Sequence, residues 1–245
     1  MLPFWIALQF LSSFPISLSG MPKPLELGRS LLFYPLVGVL FGVVLLALNA
    51  LLGGAPVMLH AALLLTAWVL LSGGLHLDGL ADSADAWLGG FGDRERTLTI
   101  MKDPRSGPIA VVTLMLVLLL KFTALLALIE SHNSIALLLA PVIGRSAMLG
   151  LFLGTPYVRA GGLGQALADH LPRSAGRQVL LICAVGCVLV AGFSGLYALA
   201  AAAVGFFWLR HLMLKRLGGT TGDTAGALLE LLEVVVLLSA ALVSL

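Results

Sequence analysis

Three residues suited to chemistry recur at helical spacing: Asp78, Asp82 and Asp85, in the stretch GGLHLDGLADSADAW at residues 73–87. In a helix, steps of four and three residues keep these carboxylates within an arc of roughly 60°, called here the acidic stripe. Like charges on one face repel one another unless a cation lies between them. Carboxylate oxygens suit Mg²⁺ or Mn²⁺, which also bridge to substrate phosphates. The stripe therefore predicts a Mg²⁺ site, and acids that only complement a helix dipole are the alternative.

A second cluster lies in IMKDPRSGP, at residues 100–108, where Lys102 and Arg105 flank Asp103. The two cations supply positive charge for an anion, and the aspartate adds a further acid for the metal. A solvated turn with an internal ion pair is the alternative interpretation.

A third cluster is YVRAGGLG, at residues 157–164, in which Arg159 precedes Gly161 and Gly162. Bare backbone at a glycine pair lets a phosphate approach closely, and the guanidinium adds charge. An arginine that only fixes membrane topology is the alternative.

The fourth cluster is the run GGTTGD, with Gly219, Thr220, Thr221 and Asp223. Its glycines expose backbone N–H groups, its threonines offer hydroxyls, and its aspartate is a further metal ligand. The run is not a Walker motif, because the Gly-Lys-Ser/Thr ending is absent. A flexible turn capped by Asp223 explains it structurally.

The composition determines the class of protein. Of 245 residues, 60% are hydrophobic and only 11% are charged, with a mean hydropathy of +1.07. This excludes a soluble globular domain and predicts an all-α polytopic membrane protein. We expect one helical domain over residues 1–245, no removable signal peptide and no nucleic-acid partner. Cys183 and Cys187 share an apolar run and indicate packing rather than a disulfide.

About seven membrane-spanning helices are predicted, since each needs roughly 20 apolar residues. The segment at residues 1–16 is short and contains Pro3 and Pro15, which favours an interfacial or re-entrant segment, with a first short helix as the alternative. The predicted spans cover residues 30–52, 57–72, 108–129, 134–154, 178–191, 196–212 and 227–245.

Basic residues indicate the orientation. Of the 14 Lys and Arg, all but Lys121 and Arg145 lie in or beside residues 20–30, 76–108, 155–177 and 210–224. The positive-inside rule places these loops in the cytoplasm and, with seven spans, the C-terminus outside. All four clusters then share the cytoplasmic face.

Charges within the predicted spans need partners, because an unpaired charge at the bilayer centre costs at least about 2.5–3.5 kcal/mol. Glu230 and Glu233 share a helix face and make Arg145 a candidate partner. The sequence indicates no partner for Lys121. His76 falls about 160° from the acidic stripe on an ideal helix, so we expect it to support the site rather than bind the metal.

These residues together indicate transfer of a group to or from a phosphate or diphosphate. A metal polarises the phosphoryl oxygens, cations share the developing charge, and a carboxylate deprotonates the attacking group. The residues alone indicate no more than this class.

The sequence also resembles the cobalamin synthase family of adenosylcobinamide-GDP ribazoletransferases. The similarity rests on GGLHLDGLADSADAW, RTLTIMKDPRSGP, PYVRAGGLG and GGTTGDTAGA, together with FLSSFPI near the start. Ser83 stands where the familiar form of the first block has threonine, a mild departure. The resemblance implies that α-ribazole or its 5′-phosphate attacks adenosylcobinamide-GDP with Mg²⁺ at the bacterial inner membrane. GMP then leaves, and adenosylcobalamin or its phosphate forms.

The candidate site residues fall into three groups. Expected catalytic residues are Asp82, Lys102, Asp103 and Arg159; expected substrate-binding residues are His76, Arg105, Arg145, Gly161, Gly162, Gly219, Thr220 and Thr221; expected metal ligands are Asp78, Asp82, Asp85 and Asp223. The expected partners are the two substrates and membrane lipid, and the sequence leaves open other cobalamin-assembly enzymes or a second copy of the chain.

Two other functions stay open on the residues alone. A CDP-alcohol phosphotransferase also uses an acidic helix containing Asp-Gly, but the Ala-Arg pair and later spaced aspartates of that pattern are missing here. A cation-coupled transporter places its acids at the bilayer midplane in broken helices, whereas these acids cluster at one interface.

Overall fold

The computed structural model describes residues 1–18, 20–161 and 163–243, and these residues contain eleven α-helices and no β-strand. The helices are α1 Leu2–Leu11, α2 Pro24–Ser30, α3 Tyr34–Leu51, α4 Val57–Ser72, α5 Leu75–Gly89, α6 Arg94–Ile100, α7 Pro108–Glu130, α8 Ala136–Gly154, α9 Leu163–Asp169, α10 Arg173–Leu217 and α11 Gly222–Val243. The predicted all-α class is therefore confirmed.

Among the described residues, five helical segments are long and apolar enough to cross a membrane. They are Pro24–Leu51, which joins α2 and α3 through a 3₁₀ turn, and the helices α7, α8, α10 and α11. The shorter α4 passes the same test only together with α5, and the two are bent by 87°. Because of this bend, α5 does not continue the path of α4. The chain is a polytopic membrane protein, as predicted.

The long helix α10 is in fact a hairpin. Its backbone breaks at Gly192, which has φ 56° and ψ −129°. A Cβ built on Gly195 would lie 2.2 Å from the carbonyl oxygen of Cys187. Residues eight apart in a straight helix are about 12 Å apart along its axis, so the chain must reverse here. This confirms the predicted turn between the spans at residues 178–191 and 196–212. The number of seven crossings stays a prediction, because α4 is too short to pass as a span without α5.

The N-terminal helix α1 is too short to cross a bilayer, since ten residues span about 15 Å. It packs on α2 and α3 and buries Ala7 and Leu11. Just beyond it, the amide of Ser13 donates to the carbonyl of Leu71 at 2.8 Å. The structure therefore has the short first helix that the sequence left as an alternative, and an interfacial or re-entrant location stays a prediction.

The helix α11 lies at the centre of the bundle, where it packs against α5, α7, α8 and α10. Its Leu228, Leu229 and Leu232 have no exposed surface. A helix buried on most of its faces is held in position by its neighbours, so groups on α11 are placed accurately relative to α5.

Four charged side chains form a buried ion quartet in the middle of this bundle: Lys121, Arg145, Glu230 and Glu233. The Lys121 ammonium lies 2.7 Å from a carboxylate oxygen of each glutamate, and Arg145 Nη1 lies 2.9 Å from Glu233. All four side chains are at most 4% exposed. The prediction that Arg145 pairs with the glutamates is confirmed for Glu233, and Lys121 pairs with both glutamates of α11.

The connection between the predicted spans at residues 196–212 and 227–245 is shorter than expected. Helix α10 continues to Leu217 and α11 begins at Gly222, so only residues 218–221 connect them. Lys215 and Arg216 extend α10 because cations in a last turn complement the helix dipole. As a result, Asp223 lies in the first turn of α11 rather than in a flexible loop.

Candidate active site

The acidic stripe lies where α5 crosses α11 at close range, and two glycines allow this crossing. A Cβ built on Gly79 would lie 2.8 Å from the backbone oxygen of Asp223. A Cβ on Gly226 would lie 3.3 Å from the Cα of His76. Because neither glycine has a side chain, the two backbones can approach, and the stripe lies beside Asp223. Sequence reasoning missed both residues, although a glycine inside a helical pattern is the signal for such a contact.

The carboxylates of Asp78 and Asp82 are free to bind a ligand. Within the described part of the chain, neither side chain forms a hydrogen bond or an ion pair. Asp82 is partly buried, and burial, followed by the charges of Asp78 and Asp223, raises its pKa to about 6. The nearby Arg159 only partly offsets this effect. The carboxylates therefore repel one another in a way that a bound cation would relieve.

The third member of the stripe, Asp85, makes structural contacts. One carboxylate oxygen accepts the amide N–H of Gly107, and the other accepts that of Ala110 at 2.9 Å. Asp85 thus caps the N-terminus of α7, where unpaired amides and the helix dipole favour a negative charge. A Cβ on Gly107 would lie 2.8 Å from this carboxylate, so glycine suits the position. Metal binding by Asp85 stays a prediction.

The third and fourth clusters meet through a salt bridge between Arg159 and Asp223. Arg159 Nη1 lies 2.8 Å from Asp223 Oδ2, with the two side chains 25% and 19% exposed. Arg159 Nη2 also donates to the carbonyl of Met101 at 3.3 Å, which ties in the second cluster. The backbones of the two loops form a bridge between Tyr157 and Thr220. All three loops therefore converge at the start of α11.

The threonines of the GGTTGD run are buried and hydrogen bonded within the protein. Thr220 Oγ1 and Thr224 Oγ1 are 2.9 Å apart, and the Thr221 amide donates to Thr224 Oγ1 at 2.9 Å. A Cβ on Gly219 would lie 2.2 Å from the Pro156 carbonyl oxygen. These contacts stabilise the short connection before α11. Substrate binding by Gly219, Thr220 and Thr221 stays a prediction.

The second cluster combines an exposed cation with an ion pair. Arg105 donates to both carboxylate oxygens of Asp103, at 2.9 and 2.8 Å. These hydrogen bonds hold the pKa of Asp103 at about 2. Lys102 is exposed and follows Met101, whose sulfur accepts a hydrogen bond from Thr221 at 3.2 Å. The buried methionine therefore fixes the position of Lys102 near the start of α11.

The other predicted substrate-binding residues are placed differently. Arg145 belongs to the buried ion quartet. His76 is 2% exposed, and neither ring nitrogen has a hydrogen-bond partner in the described part of the structure. Gly161 has φ 80°, and its amide donates to Gln165 at 2.8 Å. Gly162 lies outside the described residues.

The donor set fits a magnesium ion that also binds substrate. Among the described residues, no three His, Cys, Asp or Glu side chains are placed to hold an ion by themselves. Mg²⁺ is usually bound by one or two carboxylates together with water and substrate phosphates. The free carboxylates of Asp78 and Asp82 match that mode of binding.

Known proteins are similar to this chain over almost its full length. The family model described as cobalamin-5-phosphate synthase matches residues 3–241. The adenosylcobinamide-GDP ribazoletransferase of Pseudomonas savastanoi pv. phaseolicola (strain 1448A / Race 6) is 79% identical over 242 residues. That of Pseudomonas syringae pv. syringae (strain B728a) is 80% identical over the same length. Each match covers 99% of this chain and 100% of the relative.

No solved structure matches the chain. The family model nevertheless covers the acidic stripe, the three loops that converge on it and the buried ion quartet. With near-complete coverage by both the model and the relatives, this chain belongs to the cobalamin-5-phosphate synthase family.

Proposed function

We propose that this protein transfers α-ribazole or α-ribazole 5′-phosphate onto adenosylcobinamide-GDP, releasing GMP and forming adenosylcobalamin or its 5′-phosphate. The observation that carries the proposal is the pair of free carboxylates, Asp78 and Asp82, beside the Arg159–Asp223 salt bridge. Such a site suits a diphosphate substrate that brings its own charge to a metal. The names of the relatives and the family favour this reaction over CDP-alcohol phosphotransfer or ion transport.

The bond changes follow from the substrates. A ribose hydroxyl of the ribazole attacks the phosphorus atom that bears the cobinamide, and a new P–O bond forms. The P–O bond to the GMP portion breaks, and GMP leaves with the bridging oxygen and its electron pair. The hydroxyl proton passes to a site carboxylate.

The acidic and basic residues of this site have different roles. Asp78 and Asp82 would hold Mg²⁺, which when bound neutralises the phosphoryl oxygens. Arg159 and Lys102 contribute positive charge on the side of the loops, where they contact the diphosphate. Asp223 orients Arg159 through their salt bridge. Placing these groups before the reaction reduces the reorganisation needed when charge develops on the leaving GMP.

The location of the reaction is part of the same proposal. The protein has several membrane crossings, and we place it in the bacterial inner membrane with the site facing the cytoplasm. Its immediate partners are the two substrates and the surrounding lipid, while other cobalamin-assembly enzymes and a second copy of the chain stay open.

Purified protein in lipid nanodiscs provides the direct test. Adenosylcobinamide-GDP and α-ribazole 5′-phosphate are supplied with and without Mg²⁺, and GMP is measured by chromatography. We expect GMP and the cobalamin phosphate in equal amounts, and only when Mg²⁺ is present. GMP release without the joined product would contradict the transfer, and full turnover in the presence of a chelator would contradict the metal role.

A further inference from the structure

A cavity of about 130 Å³ opens beside the acidic stripe, between α1, α3, α5, α8, α9 and α11. Its wall is largely apolar and aromatic and includes Phe10, Tyr34, Met148, Phe152 and Leu167. A cavity of about 150 Å³ takes up a benzene ring, so this space is suited to part of a flat aromatic group. Aromatic walls with few polar groups are typical of small-molecule sites.

One polar residue at this cavity is His76. His76 is among the residues that line the cavity and is 2% exposed, yet neither ring nitrogen has a partner in the described part of the chain. An unpaired buried polar group costs free energy, so it normally has a partner such as water or a ligand. A neutral imidazole offers one donor and one acceptor. His76 is therefore available to recognise a ligand that has few polar atoms.

Two residues of the proposed reaction site, Asp78 and Asp223, lie at the same cavity. A ligand whose aromatic ring occupies the cavity would thus have its next group beside the carboxylates. In a nucleoside, the group that follows the base is the ribose. The cavity consequently lies where it can bring a ribose hydroxyl to the reaction site.

We propose that this cavity binds the aromatic base of α-ribazole, with His76 hydrogen bonded to a ring nitrogen of that base. This inference rests on the proposed function. The base is a benzimidazole, and once joined to ribose it has one free polar atom, a ring nitrogen. Guanine, the other base in the reaction, carries polar groups on several sides, and those that face the apolar part of the wall would be left unpaired. The cavity therefore distinguishes the nucleophile from the leaving GMP.

Binding of the free base tests this inference without turnover. Equilibrium dialysis measures binding of 5,6-dimethylbenzimidazole to the protein in nanodiscs, with guanosine as competitor. We expect His76→Phe to weaken binding of the base by about tenfold, the effect of one lost buried hydrogen bond. His76→Gln, which keeps a donor and an acceptor, should bind with intermediate affinity and provides a second variant should the first fail to fold.

The matched control is His60→Phe. His60 is also buried and has a ring nitrogen without a partner among the described residues, but it lies on α4 beside a different pocket. This variant should bind the base as the wild type does. In steady-state kinetics, His76→Gln should raise the KM for α-ribazole 5′-phosphate and leave that for adenosylcobinamide-GDP unchanged.

Three results would overturn the inference: no binding of the base to the wild type, equal binding to the wild type and both His76 variants, or displacement by guanosine. If the wild type still forms the joined product, such a result removes the base subsite and leaves the proposed function intact. If the wild type forms no product, the proposed function itself fails.

Discussion

Replacing Gly79 by alanine tests the close crossing of α5 and α11. The added Cβ would lie 2.8 Å from the backbone oxygen of Asp223. Backbone at the start of a buried helix cannot rotate away as a side chain can, so the two helices must separate. Overpacking of this kind costs about 1–3 kcal/mol, whereas alanine in a helix gains about 0.5–1 kcal/mol over glycine. The net loss of stability is therefore small, on the order of 0–2.5 kcal/mol.

The effect on turnover should be larger than the effect on stability. Separation of α5 from α11 moves Asp78 and Asp82 away from Asp223 and Arg159, and a displacement of about 1 Å can lower a rate by about 10²-fold. We expect Gly79→Ala to lower GMP release by between about ten- and a hundredfold while the protein still inserts and melts cooperatively.

Gly186→Ala is the matched control, because a Cβ at that α10 position would have no atom of the described residues within 4 Å. It should keep wild-type turnover and gain slightly in stability. Both variants are compared by initial rates of GMP release and by thermal unfolding in the same detergent. Wild-type turnover in Gly79→Ala would refute the conclusion that this crossing positions the site.

Other expectations concern single charges and topology. Asp82→Asn should raise the Mg²⁺ concentration for half-maximal rate, and an unchanged value contradicts a metal role. Arg159→Ala should lower turnover by about 10²–10³-fold with little change in that Mg²⁺ requirement; a large rise would assign Arg159 to metal binding. Lys121→Met leaves two buried glutamates without their ammonium partner and should lower the free energy of unfolding by about 3–5 kcal/mol. An unchanged free energy of unfolding would contradict this expectation. A cysteine substituted for Gly54 should be labelled from outside, and one substituted for Asp93 should be labelled from inside. The opposite labelling pattern would contradict the predicted orientation.

Apolar runs determine most of the helices. The predicted second span coincides with α4, and the predicted third ends one residue before α7 does. Long runs of this kind form helices in a bilayer because every backbone polar group must be paired within the segment. The glycine-containing turn at Gly192 and the spacing of the acidic stripe were likewise readable from local sequence, since both depend on residues close together in the chain.

The partners of the charged residues depended on the tertiary structure. From sequence, Asp85 is one of three equivalent acids, yet Asp85 caps α7 while Asp78 and Asp82 have no side-chain partner among the described residues. Similarly, Lys121 had no predictable partner, because its two glutamates are more than 100 residues away on α11. Helical periodicity specifies which face a side chain occupies but not which helix it meets.

The candidate site likewise combines residues that the sequence identifies with distances that only the tertiary structure determines. Its motifs identify residues suited to phosphate chemistry, but the distance between the motifs follows from the contact of Gly79 with Asp223 and of Met101 with Thr221. In an apolar bundle many pairs of helices are equally hydrophobic, so composition does not select the crossing. The selection comes from close packing, where a missing Cβ or a buried hydrogen bond decides how near two backbones can approach.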